Sequence, residues 1–591
     1  MIAARIRLLR LLAGGGAGLS LLLVALQLIR AVLPVAQALS VGRLVAVLFG
    51  AHDGGRAWSA AALVAGLFLA DQTVWLLIAP VRTLVVKRID GGLRARIRRL
   101  AAGLGGLEVL ESADFQDRAS RALDSGMGMA RDRSAGNAAA GQLELIARMI
   151  SAGASAVLLA TFSVPLAIAL LVVALAIRAA LRRQFLAVID ELDADTAGQR
   201  YEYYVSEQAV YGAAKDVRLF GLSDWFAGRF RAAVSRTYAP VYRGLLSTVR
   251  REWWAFGVTA VAVAFVLGRP AAAVLAGDLP AARLITYVLA GTGLLAISAM
   301  GMEAFDIEYG LRGIAAADEL TADFGTPIER AAVTPGAAPP VVEFDNVVFR
   351  YPGRRRPVLD GLSVTLRAGE TVAVVGENGV GKTTFVKLLA GLYRPESGRI
   401  TVGGVDPRQE RPAMAALFQD YVRYPATLRD NVTLAAPDRP VDDDAVRAAL
   451  DRAGAASLPA DLDTSLWREG TDGTDLSGGQ GQRVALARVL YAVDAGRRLL
   501  VLDEPTAHLD VRSEAEFHER VVSRVHDTTT VLISHRLSTV RPADRIILLR
   551  DGRVAEDGTH DELMALGGEY ARFFTIQAAA FTRPQPEEAP S

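Results

Sequence analysis

From Met149 to Ile177 the chain carries no charged side chain. A run of this length and polarity crosses a lipid hydrocarbon core as a helix, because lipid offers no partner for unpaired backbone N–H and C=O groups. Ser163-Val164-Pro165 interrupts it, so it reads as two spans joined by a tight hairpin. Comparable stretches fill the first 310 residues, and six spanning helices are expected at about 11–50, 57–82, 138–162, 164–187, 250–275 and 282–310. The alternative, buried helices of a soluble protein, fits poorly, since runs this long seldom belong to a globular core. Arg5, Arg7 and Arg10 could head a signal peptide. The length of the following run and its lack of a small-residue cleavage pattern favour a retained span.

Charge placement orients these spans. Arg82, Lys87, Arg88, Arg94, Arg96, Arg98 and Arg99 lie between the second and third, and Arg182, Arg183, Lys215, Arg218, Arg229 and Arg231 between the fourth and fifth. The other connections are short and carry only Arg56 and Arg269. Basic segments stay in the cytoplasm, so both long connections and the N-terminus are expected there, in a multi-pass plasma-membrane protein. The net charge of +1 hides a split. Basic residues exceed acidic ones by about seven over 1–330 and fall about six short in the remainder, which again puts a membrane surface beside the first part. The chain has no cysteine, which excludes disulfides, thiolate metal sites and a cysteine nucleophile. No nucleic-acid partner is expected. Arg30, Asp71, Glu303 and Asp306 are ionisable groups within or at the ends of spans and are candidates for a polar substrate cavity. For Glu303 and Asp306, facing water or pairing with each other in a cytoplasmic extension is the preferred reading.

The second half carries different chemistry. Gly376 to Thr383 fits G-x-x-x-x-G-K-[ST], preceded by the β-branched run Thr371–Val375 and followed by a stretch suited to a helix. Gly376, Gly379 and Gly381, with Glu377, Asn378 and Val380 between them, let the backbone aim several N–H groups at phosphate oxygens, with Thr384 in the helix that follows. Lys382 is expected on the β- and γ-phosphates of ATP and Thr383 on Mg2+. Leu499-Leu500-Val501-Leu502 reads as a buried strand ending in Asp503 and Glu504. Asp503 would hold Mg2+, and Glu504 stands where a general base or water-orienting group is needed. Leu476-Ser-Gly-Gly-Gln480 precedes a helical stretch, so Ser477, Gly478, Gly479 and Gln480 lie at a helix N-terminus, again suited to phosphate.

Taken in order, these motifs make residues 341–575 resemble the nucleotide-binding domain of an ABC transporter, and the whole chain an exporter-type half-transporter. The resemblance implies further roles. Tyr351 matches the aromatic position that stacks on adenine. Gln419, in Leu-Phe-Gln-Asp, matches the glutamine that senses Mg2+ and the attacking water. His535 matches the histidine at the γ-phosphate, and Asp510 the aspartate of the loop communicating between two such domains. Glu111–Arg118 and Ala214–Trp225 resemble the two coupling helices, with Phe115 and Phe220 as apolar knobs for clefts of the ATPase. The sequence departs from the usual pattern at Gly481, where a large or basic residue is commoner, at Ala507 and His508, and over 468–475.

The expected architecture is therefore a six-helix, all-α membrane domain over 1–312 with helical cytoplasmic extensions, a linker at 313–340, an α/β P-loop ATPase domain at 341–575, and a disordered tail from 576. The implied function is ATP-driven export of a peptide, lipid or secondary metabolite by a homodimer or heterodimer. The phosphate loop of each chain would face Leu476–Gln480 of the other. Lipid flipping, import of a metal chelate, or ATP-driven regulation without transport are the alternatives. Gly-Glu-Asn-Gly, Phe-Gln-Asp-Tyr-Val-Arg-Tyr-Pro and Thr-Asp-Leu-Ser-Gly-Gly-Gln are similar to actinobacterial exporters.

Overall fold

The computed structural model describes residues 2–49, 54–123, 134–194, 201, 205, 212–251, 253–325, 338–455, 457–468, 473–505 and 527–582. Asp510, Ala507, His508, part of the linker and the end of the tail lie outside them. The chain divides into two compact units: residues 1–103 with 112–327, and residues 104–111 with 328–591.

The first unit is helical, and its described residues include six helices long and apolar enough to cross a membrane. A short helix, Ile2–Leu11, precedes the first span. That span begins at Ala17 rather than near 11, because Gly16 adopts φ +92° and ends the preceding turn. The second span is one unbroken helix, Gly54–Gly103, so the basic cluster from Arg82 to Arg99 sits on its extension, as the expected helical extensions require. The third and fourth are Ala135–Ala160 and Val164–Ala194, with the expected break at Ser163. The fifth is Trp253–Leu275. Two cores hold the unit together. One joins the N-terminal helix and spans one, two and three to the helix Met302–Phe324 around Leu8, Leu23, Val85, Leu143 and Ile307, and the other joins spans three to six around Leu159, Ala174, Val266 and Leu294. Large apolar side chains such as Leu21, Val172 and Phe256 stay exposed, as a lipid-facing surface requires.

The sixth span differs from expectation. Ala281–Leu295 passes into a short 3-10 turn at Ala296–Ser298, and the helix restarts only at Met302–Phe324. Unwound backbone leaves carbonyls without helical donors, which is costly away from water. Two arginines meet them. Arg148 Nη2 donates to Ala296 O and Ala299 O at 3.0 and 2.8 Å, and Arg178 Nη1 donates to Ile297 O and Ala299 O at 3.1 Å each. Glu303, 1 % exposed at its side chain, is the counter-ion, 2.5 Å from Arg148 and 3.5 Å from Arg178. Asp306 pairs with Arg82 at 2.7 Å. The preferred reading for Glu303 and Asp306 is corrected: neither faces water or pairs with the other, and each is buried against arginine.

The second unit is α/β. Strands β1 (Val342–Phe349), β2 (Leu359–Leu366) and β4 (Ser397–Val402) form an antiparallel sheet in the order β2-β1-β4. Strands β3 (Thr371–Val375), β5 (Met414–Leu417), β6 (Leu499–Asp503), β7 (Thr529–Ile533), β8 (Arg545–Arg550) and β9 (Arg553–Gly558) form the main sheet in the order β5-β6-β7-β3-β8-β9. All pair in parallel except the β8–β9 hairpin. Every residue of β6 and β7 is buried, which is why both read as nearly continuous apolar or threonine runs. Because β6, β7 and β3 are neighbours, the loops leaving their carboxyl ends stand side by side, the usual place for a ligand in such a sheet.

The segment 104–111 packs as part of this second unit. Leu107 N–H donates to Leu392 O at 2.8 Å, Leu107 packs on the core that contains Phe349 and Tyr393, and Tyr393 Oη donates to Glu111 Oε2 at 2.5 Å. The expectation for Phe115 is corrected accordingly. Phe115 is buried within the first unit, edge-on to Phe324 with ring centroids 5.7 Å apart, and the apolar residue that seats on the second unit is Leu107. Phe220 is exposed beside Leu219 and Trp225.

Candidate nucleotide site

Three adjacent strands build the site. The loop after β3 turns into the helix Lys382–Leu389 through Gly376, Gly379 and Gly381 at φ +147°, +83° and +116°. A Cβ at Gly376 would stand 2.5 Å from Leu549 O, whereas a Cβ at Gly379 would meet nothing within 4 Å. The first glycine lets the loop pack on β8, and the second leaves an open backbone face toward the cleft. Gly381 gives the helix no side-chain cap, so its first N–H groups are not claimed by a neighbouring side chain. Lys382 Nζ donates to Gly376 O at 2.8 Å and Glu377 O at 3.0 Å, which holds the ammonium over the loop. Burial lowers its pKa, against the pull of Glu504 and Asp503.

Asp503, at the end of β6, accepts from Thr383 Oγ1 at 3.2 Å. Burial pushes its carboxyl up to about 6, opposed by the Thr383 hydrogen bond and reinforced by Glu504. A carboxylate and a hydroxyl meeting in this way are hard oxygen donors of the type Mg2+ takes, and a divalent charge there would favour the ionised form of Asp503 against the effect of burial. Glu504 follows with φ +50°, a left-handed conformation uncommon for a residue with a side chain, held by its N–H on Ile533 O at 2.9 Å. Its Oε1 lies 3.2 Å from His535 Nδ1, just beyond β7. Tyr351 Oη lies 3.1 Å from Thr384 Oγ1, and its ring packs edge-on to Phe349 and Tyr393.

One cleft gathers Tyr351, Glu377 to Thr384, Gln419, Asp503, Glu504 and His535. Residues 476–480 do not line it. They form the start of the helix Gly478–Asp494, where Ser477 and Gln480 make a reciprocal capping box: Ser477 Oγ accepts from Gln480 N–H at 3.3 Å and Gln480 Oε1 accepts from Ser477 N–H at 3.0 Å. Gln482 was missed by sequence reasoning. It is buried, and its Nε2 donates to Pro505 O at 2.6 Å and Glu504 O at 3.4 Å, so the signature helix also steadies the strand exit that bears Glu504. Arg354, Arg355 and Arg356 line the same cleft, and the signal for them was their position just after Tyr351.

Comparison with known proteins agrees with this geometry. The ABC transporter family matches residues 359–507, which include the phosphate loop, Gln419, the signature and both carboxylates. A bacterial Atm1-family ABC exporter with ATP bound has the same fold, with a TM-score of 0.71 over 95 % of this chain and 99 % of that one, at 24 % identity. Residues 359–507 thus match the ABC transporter family, and the chain has the fold of an ABC exporter. The mycobactin import ATP-binding/permease protein IrtB of Mycolicibacterium thermoresistibile is 41 % identical to this chain over 262 residues, 43 % of this chain and 44 % of that protein. The ATP-dependent lipid A-core flippase of Dechloromonas aromatica is 34 % identical over 387 residues, 64 % of each chain. The chain thus spans less than half of the first of these relatives and just under two thirds of the second.

Proposed function

We propose that the chain is an ATP-driven exporter that works as a dimer in the plasma membrane, with its N-terminus and ATPase unit cytoplasmic. The observation that carries this reading is the separation of two phosphate-suited backbone sites: the cleft around Lys382, Asp503 and Glu504 is lined by none of residues 476–480. Two chains related by a two-fold axis give each cleft the signature of the other. Lys382 and the loop N–H groups hold the β- and γ-phosphates, and Tyr351 stacks on the base. Thr383, Gln419 and Asp503 would hold Mg2+, which when bound neutralises charge building on the phosphate oxygens. Glu504, oriented by His535, positions water and accepts its proton. ATP stabilises only the closed pair, so its hydrolysis reopens it. Leu107 and the exposed Phe220 are the points where this cycle would be passed to the spans, and Asp510 would lie in the loop between the two ATPase units.

The cargo is a peptide, a lipid or a secondary metabolite. A lipid-like cargo is the reading that one observation favours: the 387-residue match to a flippase is longer than the whole second unit, so it extends into the membrane helices. The experiment is transport in inside-out vesicles supplied with ATP and Mg2+, using labelled lipid analogues and labelled peptides. ATP-dependent movement of either class is the expected result. ATP hydrolysis without movement of any of them, together with capture of a partner protein, would sink the pump in favour of a regulator.

A further inference from the structure

Between the nucleotide cleft and the signature lies a short stretch that touches both. Gln419, in the turn after β5, lines the cleft. Two residues on, Tyr421 Oη donates to Gly478 O at 2.7 Å, and two further on, Arg423 Nη1 donates to Leu476 O at 3.0 Å. Both acceptors are signature carbonyls. A peptide unit is planar and trans, so its C=O and N–H point in opposite directions. Holding Gly478 O therefore aims the N–H of Gly479, and holding Leu476 O fixes the Ser477 N–H on Gln480 Oε1 and with it the start of the helix.

The helix that starts at the signature grips the same stretch from its other side. Arg488, two to three turns along, donates from Nη1 to Val422 O at 3.2 Å and lies over the Tyr424 ring, 4.8 Å from its centroid. Its Nε and Nη2 donate to Asn431 O and Oδ1 at 2.8 and 3.1 Å. Residues 421–424 and the signature helix are thereby joined as one piece. Gly481 explains why the arrangement fits. A Cβ there would stand 3.0 Å from Arg423 Nε and 3.1 Å from Tyr421 Oη. A side chain at this place would crowd both and force at least one to shift, which links the departure of the sequence from the usual pattern at Gly481 to the presence of Tyr421 and Arg423.

We propose that Tyr421 and Arg423 are positioning residues that carry displacement of Gln419 at one nucleotide to the signature N–H groups that face the other, and that Gly481 is glycine to admit them. The inference rests on the two-chain reading above, since only there do signature N–H groups meet a phosphate. Its test uses the full-length protein in lipid vesicles, with kcat, KM and cooperativity in ATP as readouts and binding of a fluorescent ATP analogue as control. Arg423→Ala should lower kcat about tenfold, the usual weight of a lost charge-assisted hydrogen bond, and should abolish cooperativity. Nucleotide affinity of the open cleft should stay unchanged, and Arg423→Lys should restore much of the rate. Gly481→Arg should reproduce the defect alone yet add little to Arg423→Ala, because the two changes remove one contact. Unchanged thermal unfolding in each variant separates positioning from simple loss of fold. Full kcat and cooperativity in Arg423→Ala and Tyr421→Phe, while Glu504→Gln still traps an ATP-dependent dimer, would overturn the positioning role and leave the two-chain reading intact. Failure of Glu504→Gln to trap any dimer would overturn both. Additive losses in the double variant would also count against it.

Discussion

Two helix starts in the ATPase unit are built for phosphate in opposite ways. The helix Lys382–Leu389 begins at a left-handed glycine with no side-chain cap, and Lys382 lies over the loop. The helix Gly478–Asp494 begins with a complete capping box, Ser477 and Gln480 satisfying each other's backbone. An uncapped start keeps its N–H groups free for a ligand and binds on its own. A capped start is stiff and already satisfied in part, so its contribution depends on how it is presented. On the proposed two-chain reading, the first belongs to a cleft within one chain, while the second would depend on the groups that hold its carbonyls and on closure against a partner.

Three substitutions test the contrast, in decreasing order of effect. Glu504→Gln should slow phosphate release by about 10²–10⁴-fold, the range for loss of a general base, while ATP-dependent dimer accumulates in crosslinking. A normal turnover rate would show that catalysis does not run through this carboxylate. Lys382→Ala should weaken ATP binding roughly a hundredfold in equilibrium titration, as loss of charge-assisted contacts to phosphate implies. Unchanged affinity would erase the distinction between the two helix starts. Ser477→Ala should cost about 1 kcal/mol of stability in denaturant unfolding, the usual weight of a helix cap. It should also reduce the trapped dimer while leaving single-cleft affinity alone. An affinity loss comparable to that of Lys382→Ala would mean that the signature serves the cleft of its own chain.

The two units were unequally legible in sequence. In the ATPase unit, motif residues come from short contiguous runs, and the parallel sheet brings the runs together at one edge. Thr383 therefore meets Asp503, and Glu504 meets His535, as their types and order implied. In the membrane unit, hydropathy marked the spans but not their breaks. The unwound stretch, Ala296-Ile-Ser-Ala-Met-Gly301, carries no charge that would set it apart from the helix before it, and its carbonyls depend on Arg148 and Arg178 from two other spans. The first coupling contact was placed at Phe115, a strongly apolar residue on an amphipathic helix. That apolar face is buried against Phe324 instead, and Leu107 takes the place on the second unit.

The sequence by itself determined the division into spanning helices and a phosphate-binding α/β domain, because hydropathy over some twenty residues and a glycine loop between strand and helix are local properties. It also determined which side chains could do phosphate chemistry. Only the tertiary structure decided that residues 104–111 pack with the ATPase unit, that the sixth span is broken and capped by arginines, and that Tyr421 and Arg423 close on the signature across Gly481. Each of these joins groups far apart in the chain through hydrogen bonds whose partners no local pattern specifies.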